Sequence, residues 1–401
     1  SVDRIPKQNT IMLNSQKICI IGSGLTALTI AYLLSKFKLR IDIVEQVSNK
    51  KKINPTKLAL SQNSLDQLCS FGLKNIQKKS NVVNKIHLHD SYSSISLNND
   101  LEFSAPKKEA LAYIIDSNSL FLDITKKIKF LRNINILRKD ILSINENNFF
   151  NEVTFKNLTK ENYSLIIFAS MNNLSLLSKF KLRKVIDKSY NEKAHVFNLF
   201  HKKIDNKSAR QFFLKDGPLA FLPVSNSETS VIWSIKNNSV NEKIVNNKKD
   251  LLKFFNIHFK ELFKGIILIS KLQKYNLNYN FNKLIDSKRI LLFGDIANKI
   301  HPIAGQGWNM TLRNIFSLIK VIKHSQNLGF EIGNDIFIKK YLNEVNSNNF
   351  IFSSLIDGVR GIFDIKNTTY ANLRKNVLVN LNQNVFIKKN LIDLANKGLF
   401  I

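Results

Sequence analysis

Asp295 closes an apolar run, Ile290 to Phe293, with Gly294 between them, and after a Pro-containing turn Gly305 and Gly307 open an apolar-periodic segment. A carboxylate at a strand end can accept hydrogen bonds from the hydroxyls of a sugar or polyol. Trp308, Leu312, Ile315, Phe316, Ile319, Val321 and Ile322 recur at helical spacing, which predicts a buried helix whose first amides face the loop. Unpaired N–H groups at the positive end of a helix dipole suit negative charge or electron-rich carbonyls. Short glycine motifs also match by accident, and an ordinary strand-loop-helix connection would look the same in isolation.

The beginning of the chain supplies the second half of such a site. Ile18 to Leu34 carries no charge and is close to the roughly 17 to 25 residues of a membrane span. The alternative is a βαβ opening with the pattern G-x-G-x-x-A. In it Gly22 makes the tight turn, Gly24 admits a pyrophosphate, and Ala27 packs helix on strand. A second strand, Arg40 to Val44, ends at Glu45, about 20 residues past the glycines, where an acid can bind ribose hydroxyls. Strand, triplet, helix, strand and acid in that order favour dinucleotide binding over a membrane span.

The rest of the chain must hold these two regions together. A helix is predicted near Ser119 to Leu131, with strands near Ile134 to Leu137, Val153 to Phe155 and Leu165 to Phe168. From His195 to Ile235 the pattern is β-rich and predicts an inserted antiparallel sheet, followed by a helix from Lys248 to Phe263. The tail from Ile336 is helical by periodicity and ends in a basic amphipathic segment, Val385 to Ile401. This segment is expected to pack on the body of the protein, a membrane surface being the other resting place. His87 and His89 share a face of a predicted strand beside Asp90, but no further ligands cluster there, so they read as sheet histidines and no metal is expected.

With 401 residues and 44% hydrophobic content, the chain is long enough for two interlocked domains with a sizeable core. Its formal charge of +30 comes from lysines scattered among Asn and Ile, not from basic patches interleaved with aromatics. Nucleic acid is therefore not an expected partner; the excess charge reads as a solvated basic surface, with peripheral contact to an anionic membrane as the alternative. Cys19 and Cys69 read as buried free thiols of a reducing compartment, and the expected location is cytoplasmic, with a peripheral place on the inner face of the membrane as the alternative. Residues 1–11, ahead of Met12, read as a dispensable extension.

Both glycine regions, in this order, resemble the FAD-dependent aromatic hydroxylases related to p-hydroxybenzoate hydroxylase, and within them the ubiquinone-biosynthesis hydroxylases. The resemblance rests on IIGSGLTAL, ALSQNS at 59–64, LAYIID at 111–116, GPLAFLPV with VIWS between 217 and 234, and GDIANKIHPIAGQGWN at 294–309. It implies an α/β fold: a Rossmann-like FAD-binding domain of glutathione-reductase type (17–80, 112–180, 275–330), an inserted antiparallel-sheet substrate domain (81–111, 181–274) and C-terminal helices (331–401). By the same resemblance Gly22, Gly24, Ala27 and Glu45 hold the ADP half of FAD, and Gly294 and Asp295 its ribityl chain. Lys57 and the loop Pro302, Gly305, Gln306, Gly307, Trp308 and Asn309 lie against the flavin ring.

The implied reaction uses NAD(P)H and dioxygen to hydroxylate a prenylated phenol or benzoquinone precursor, in the setting of a ubiquinone-biosynthesis complex. No catalytic side chain is implied, because the cofactor carries the chemistry. His301, beside Pro302, reads as a histidine that shapes the turn, a general base being the alternative. Several positions depart from the family pattern: Ser170-Met171-Asn172 for Ala-Asp-Gly, Lys57 for Arg, Asn298 for His, and Thr311 and Asn314 for Gly and Asp. They leave a second reading beside the working hydroxylase, a catalytically impaired accessory subunit of the same complex.

Overall fold

Ile18, Cys19, Ile20 and Ile21 have no accessible surface, and they form most of β1 (Lys17–Ile21), a strand covered on both faces. The computed structural model describes residues 16–47, 56–91, 94–97, 100–106, 109–284, 287–365 and 368–398. The extension at 1–11 and the end of the amphipathic tail at 399–401 lie outside the described residues. The uncharged stretch from Ile18 to Leu34 is divided into β1, a glycine turn and α1 (Leu25–Leu34), a helix of 10 residues. Among the described residues no helix is long and apolar enough to cross a membrane, so the spanning alternative for this stretch falls.

The chain continues through β2 (Arg40–Glu45), β3 (Lys57–Leu60), α2 (Gln62–Ser70), α3 (Asn75–Lys78), β4 (Asn81–Val83), β5 (Lys85–Ser91), β6 (Leu101–Ser104), β7 (Ala112–Asp116) and α4 (Ser117–Ile128). Next come β8 (Ile134–Arg138), β9 (Ile141–Glu146), β10 (Asn151–Phe155), β11 (Lys160–Tyr163), β12 (Leu165–Phe168) and α5 (Leu174–Leu177). A β-rich block holds β13 (Leu182–His201), β14 (Ser208–Leu214), β15 (Gly217–Ser225) and β16 (Glu228–Lys236). It is followed by α6 (Val240–Asn246), α7 (Lys248–Phe263), β17 (Ile266–Ile269) and β18 (Gln273–Leu284). The last elements are β19 (Ile290–Leu292), β20 (Asn298–Lys299), α8 (Gln306–Asn327), α9 (Asp335–Asp364), α10 (Thr368–Gln383) and α11 (Val385–Lys397).

β1 pairs in parallel with β2 and β12, β2 with β8, and β12 with β19, giving the sheet order β19-β12-β1-β2-β8. The chain therefore winds outward from β1 to one side, then crosses to the other. Such a reversal opens a crevice at the carboxyl ends of the central strands, which is where both glycine regions leave the sheet. One face of the sheet is packed by Leu28, Ile30 and Leu34 of α1, Ile124 of α4 and Leu312, Ile315 and Leu318 of α8. Cys19, Ile21 and Phe168 on the other face meet Val153, Phe155 and Tyr163 of the β9-β10-β11 meander. Of this meander only the middle strand was expected; its flanks expose alternate polar residues and carry little apolar signal.

The second large layer is a nine-stranded sheet ordered β20-β18-β13-β16-β15-β14-β5-β6, with β17 also on β13. The helix expected over Lys248–Phe263 is α7, and its Phe255, Phe259 and Phe263 pack on Phe221, Phe212 and Trp233 of the sheet. The expected domain boundary at 275 falls inside β18, whose residues pair with β13 from end to end. β18 therefore sits in the large sheet, because its polar alternation is that of a sheet with one solvated face.

His87 and His89 lie on one face of β5, both buried, and His89 stacks on Phe212 at 4.1 Å. Among the described residues no group of three His, Cys, Asp or Glu side chains could hold a metal. Burial, helped by the charge of Arg210, lowers the His87 pKa from 6.5 to about 4 against the pull of Glu102. The folded chain thus refuses a proton that the unfolded chain accepts, so this histidine costs stability as the pH falls from 6.5 toward about 4. Urea unfolding should show that acid loss, and His87→Phe should flatten it; an unchanged pH slope in the variant would refute the assignment.

A candidate dinucleotide cleft at the carboxyl edge of the parallel sheet

Gly22 has φ +129°, and a Cβ there would stand 3.0 Å from Ser170 Cβ, so the turn after β1 admits only glycine. Its N–H donates to Val44 O at 3.0 Å, which ties the turn to the end of β2. Gly24 is the opposite case: a Cβ would meet nothing within 4 Å. It precedes α1 without a side-chain cap, so the first amides of the helix look onto an open face, while Ala27 behind them is fully buried.

The second region arrives at the same place. Phe293 N–H donates to Phe168 O at 2.8 Å, and Ala169 N–H donates to Ile21 O at 3.0 Å, so β12 bridges the two strand ends. Gly294 has φ +72°, and a Cβ there would lie 3.2 Å from Thr26 Oγ1, in the first turn of α1. Asp295 follows at once. Its side chain is open to solvent, yet protein crowds around it and burial pushes its carboxyl upward, opposed by the charge of Lys299. A carboxylate that is both crowded and reachable lines a recess, and this one has room to accept hydrogen bonds from a polyol.

α8 starts at Gln306 behind Gly305, whose φ of +62° and close approach to Ala59, 2.9 Å from a Cβ to Ala59 Cβ, leave no room for a side chain. No side chain caps this helix either. Among the described residues, Gln306 Oε1 and Trp308 Nε1 are buried without a hydrogen-bond partner, as is Asn298 Oδ1. Buried polar atoms are as a rule satisfied by protein, ordered water or a bound group, and these three lie on the loop and helix start behind Asp295. Two uncapped helix starts, an available carboxylate and orphaned polar atoms fit FAD, with its anionic pyrophosphate, its hydroxylated chain and its carbonyl-bearing ring.

Three expected residues have other partners. Asn309 is buried; its Nδ2 donates to Ala59 O and its Oδ1 accepts from Ser61 N–H, both at 2.9 Å, so its side chain positions α8 on β3 and is not offered to a ligand. Lys57 Nζ lies 2.9 Å from Asp116 and lines a cavity of about 250 Å³ with Asn198, Ser230 and Gln273, whose lining includes no residue of the glycine loops. Glu45, at the end of β2, is 3.2 Å from Arg138, its register partner on β8. The Met171–Asn173 turn follows β12 beside Gly22, with Met171 partly exposed. Thr311 Oγ1 donates to Gly307 O at 3.2 Å, and Asn314 is buried.

His301 is buried, its Nε2 3.3 Å from Glu192 Oε2 and its ring edge-on to Tyr190 at 5.1 Å. Glu192 reaches it because β13 bulges between Ser189 and Glu192, with Asn191 at φ +54°. Arg360 of α9 donates to the other Glu192 oxygen at 2.5 Å and lies 4.2 Å over the Tyr190 ring. Burial opposes ionisation of Glu192, but the His301 hydrogen bond and the Arg360 charge outweigh it and hold the carboxyl below its ordinary range. Burial also keeps His301 below its usual pKa despite Glu192, so it is a neutral hydrogen-bonding residue that sets the turn before Pro302. Sequence reasoning did not find Glu192, Tyr190 or Arg360; the one signal was ionisable groups on otherwise core-facing positions.

Gly305→Ala should lower stability by about 1–3 kcal/mol through the strained φ and the clash with Ala59. Gly307→Ala, whose Cβ would meet only Ile300 Cγ1 at 3.9 Å, should leave the flavin-free protein at least as stable as the parent. Denaturant melts of both variants check this, and equal losses would show that Gly305 is not held as described.

No family model matches the chain. It is 25% identical to the ubiquinone biosynthesis monooxygenase COQ6 of Dictyostelium discoideum, across 96% of this chain and 92% of that one. To the 3-demethoxyubiquinol 3-hydroxylase of Escherichia coli it is 28% identical, across 37% of this chain and 38% of that one. Among solved structures, p-nitrophenol 4-monooxygenase PnpA of Pseudomonas putida aligns over 97% of this chain and 100% of its own with TM-score 0.77 at 13% identity. HpxO of Klebsiella pneumoniae, complexed with FAD and uric acid, aligns over 96% of this chain and 97% of its own with TM-score 0.70 at 14% identity. In sequence the chain is similar to ubiquinone-biosynthesis monooxygenases, and its fold is the one these FAD-dependent monooxygenases share.

Proposed function

We propose that the chain is an FAD-dependent monooxygenase that hydroxylates a prenylated phenol or benzoquinone precursor in ubiquinone biosynthesis, with NAD(P)H as reductant and dioxygen as oxygen donor. The observation that carries this reading is the contact of Gly294 with Thr26, which sets Asp295 beside the uncapped start of α1. When bound, FAD would supply the redox chemistry, namely hydride acceptance from NAD(P)H and activation of dioxygen for transfer of one oxygen atom to an electron-rich ring, the other leaving as water. The protein binds and orients. Gly22, Gly24 and the first amides of α1 would hold the pyrophosphate, with Ala27 packing that helix onto the strand behind them, Glu45 the ribose, and Asp295 the ribityl hydroxyls.

The first amides of α8, from Gln306 to Trp308, would face the part of the ring that gains negative charge on reduction, where a helix N-terminus is stabilising. Asn309 would fix that helix, and neutral His301 the turn before Pro302. We assign 17–80, 112–180 and the segment from β19 to residue 330 to the nucleotide side. The large sheet, β18 included, would form the substrate side, and 331–401 the helical remainder. An accessory subunit without turnover remains motivated by Met171, apolar where the family carries an acid, but the relatives' names do not favour it.

A membrane surface is the second partner we infer. Val385 and Phe386 at the start of α11 are largely exposed, with Lys388 and Lys389 alongside, while Asn396 at its other end bonds Ser61 and Asn63 of the body. A basic helix anchored at one end and apolar at the other suits an anionic lipid surface.

Purified protein should be yellow and should oxidise NAD(P)H faster when a prenylated phenol is added. Asp295→Ala should lower FAD affinity by about ten- to a hundredfold, the worth of hydrogen bonds to a charged acceptor. Flavin absorbance per chain after gel filtration reads this, and full retention would remove Asp295 from the site. Failure of the gene to restore ubiquinone in a hydroxylase-deficient strain, with FAD bound, would favour the accessory reading. Flotation with anionic vesicles should weaken in Lys388→Glu/Lys389→Glu; binding that is unaltered would discard α11 as the contact.

A further inference from the structure

Arg313 lies on α8 roughly 12 Å along the helix axis from Gly305, toward α2, α9 and α11 and away from the flavin end. Its guanidinium stands 4.5 Å over the Phe352 ring, and Gly398 closes on its stem, where a Cβ would be 3.1 Å from Arg313 Cδ. Nη1 and Nη2 are both buried, and neither has a hydrogen-bond partner among the described residues. Burial lowers the group's pKa to about 10, so it stays charged at neutral pH. The aromatic ring offsets part of the lost hydration, but it leaves the in-plane N–H donors unmet. A buried charge without a counter-ion costs several kcal/mol.

The surroundings supply a cavity but no acid for this arginine. Arg313 lines a space of about 570 Å³ together with Gln67, Ser317, Asn348 and Lys397, within the size range of small-molecule sites. Glu344 also lines it, but its carboxylate is taken by Lys320 at 3.2 Å. Gln67 Oε1 and Asn348 Oδ1 are buried there without a partner. An orphaned guanidinium and two orphaned amide oxygens around one cavity describe a ligand with a negative end and a hydrogen-bond-donating body.

We propose that the cavity between α2, α8, α9 and α11 binds a phosphate-class anion, its charged oxygens held in a two-pronged hydrogen bond by Arg313 and its remaining hydroxyl donating toward the amide oxygens of Gln67 and Asn348. This does not rest on the hydroxylase reading. The anion can be free, or it can be the headgroup of a phospholipid; the chemistry is shared. Bound on the far side of α8 from the flavin, it would brace the helix whose first turn faces the ring.

Isothermal titration calorimetry of the full chain with inorganic phosphate, and separately with acetate, at ionic strength held constant by chloride, tests the site. The parent should bind phosphate saturably and acetate, which has no donor for the two amide oxygens, more weakly, and phosphate should raise its Tm. Arg313→Gln should weaken binding at least about tenfold, and Arg313→Lys, which keeps the charge but loses the fork, should fall between. Ser347→Trp, at the cavity lining but with Arg313 intact, should also block binding, so the result does not depend on how the arginine variants fold. Loss of phosphatidate-vesicle binding in Arg313→Gln would identify a headgroup; vesicle binding unchanged beside lost phosphate binding would identify a free anion. No saturable heat with phosphate in the parent, or equal affinity in Arg313→Gln, overturns the proposal.

Discussion

The contact between Gly294 and the first turn of α1 is the constraint on which the rest of the molecule depends. It is steric, since Thr26 fills the space a Cβ would need, and it is possible only because β12 runs between β1 and β19 and carries the backbone across. Once these strand ends are adjacent, two helix starts without side-chain caps and one unspent carboxylate share an edge of the sheet. Uncapped amides and a crowded carboxylate are each unfavourable in the free protein. A dinucleotide with anionic, hydroxylated and carbonyl-bearing parts relieves all of them together.

A second level of organisation holds the loop after β20. His301 does not stand in that turn by its own propensity. Glu192 fixes it, Arg360 neutralises Glu192, and Tyr190 walls both, so the large sheet and α9 jointly set the turn before Pro302. The three charged or titratable groups are all buried, and breaking one partner would strand the others. The loop expected against the flavin is thus governed by elements that belong to the other layer of the protein.

What the sequence disclosed follows from what it encodes locally. Uncharged apolar runs next to glycines marked β1, α1, β19 and α8, because buried parallel strands and close backbone approaches restrict residue type at those positions. α7 was legible from its phenylalanine spacing. The nine-stranded sheet was only partly so: the charged residues of β13 cluster between Arg183 and Lys193, where apolar positions are sparse, and the β-rich pattern becomes visible only from His195. The partners of His301 were invisible because they lie 109 residues before it, in Glu192, and then 168 residues beyond Glu192, in Arg360. Asn309 was read as a ligand residue from its place in a motif, whereas the fold spends both ends of its amide on the neighbouring strand.

That amide does something a helix rarely does. β3 has β7 on one side only, and on the other Asn309 offers a donor to Ala59 and an acceptor to Ser61, the pair of bonds that a missing neighbour strand would have offered. A single side chain therefore imitates a peptide unit and fixes the rotation of a 22-residue helix about its own axis. Aspartate lacks the donor and glutamine is one carbon too long, so the orientation of the entire helix is entrusted to one planar group that neither neighbour in the chemical alphabet can copy.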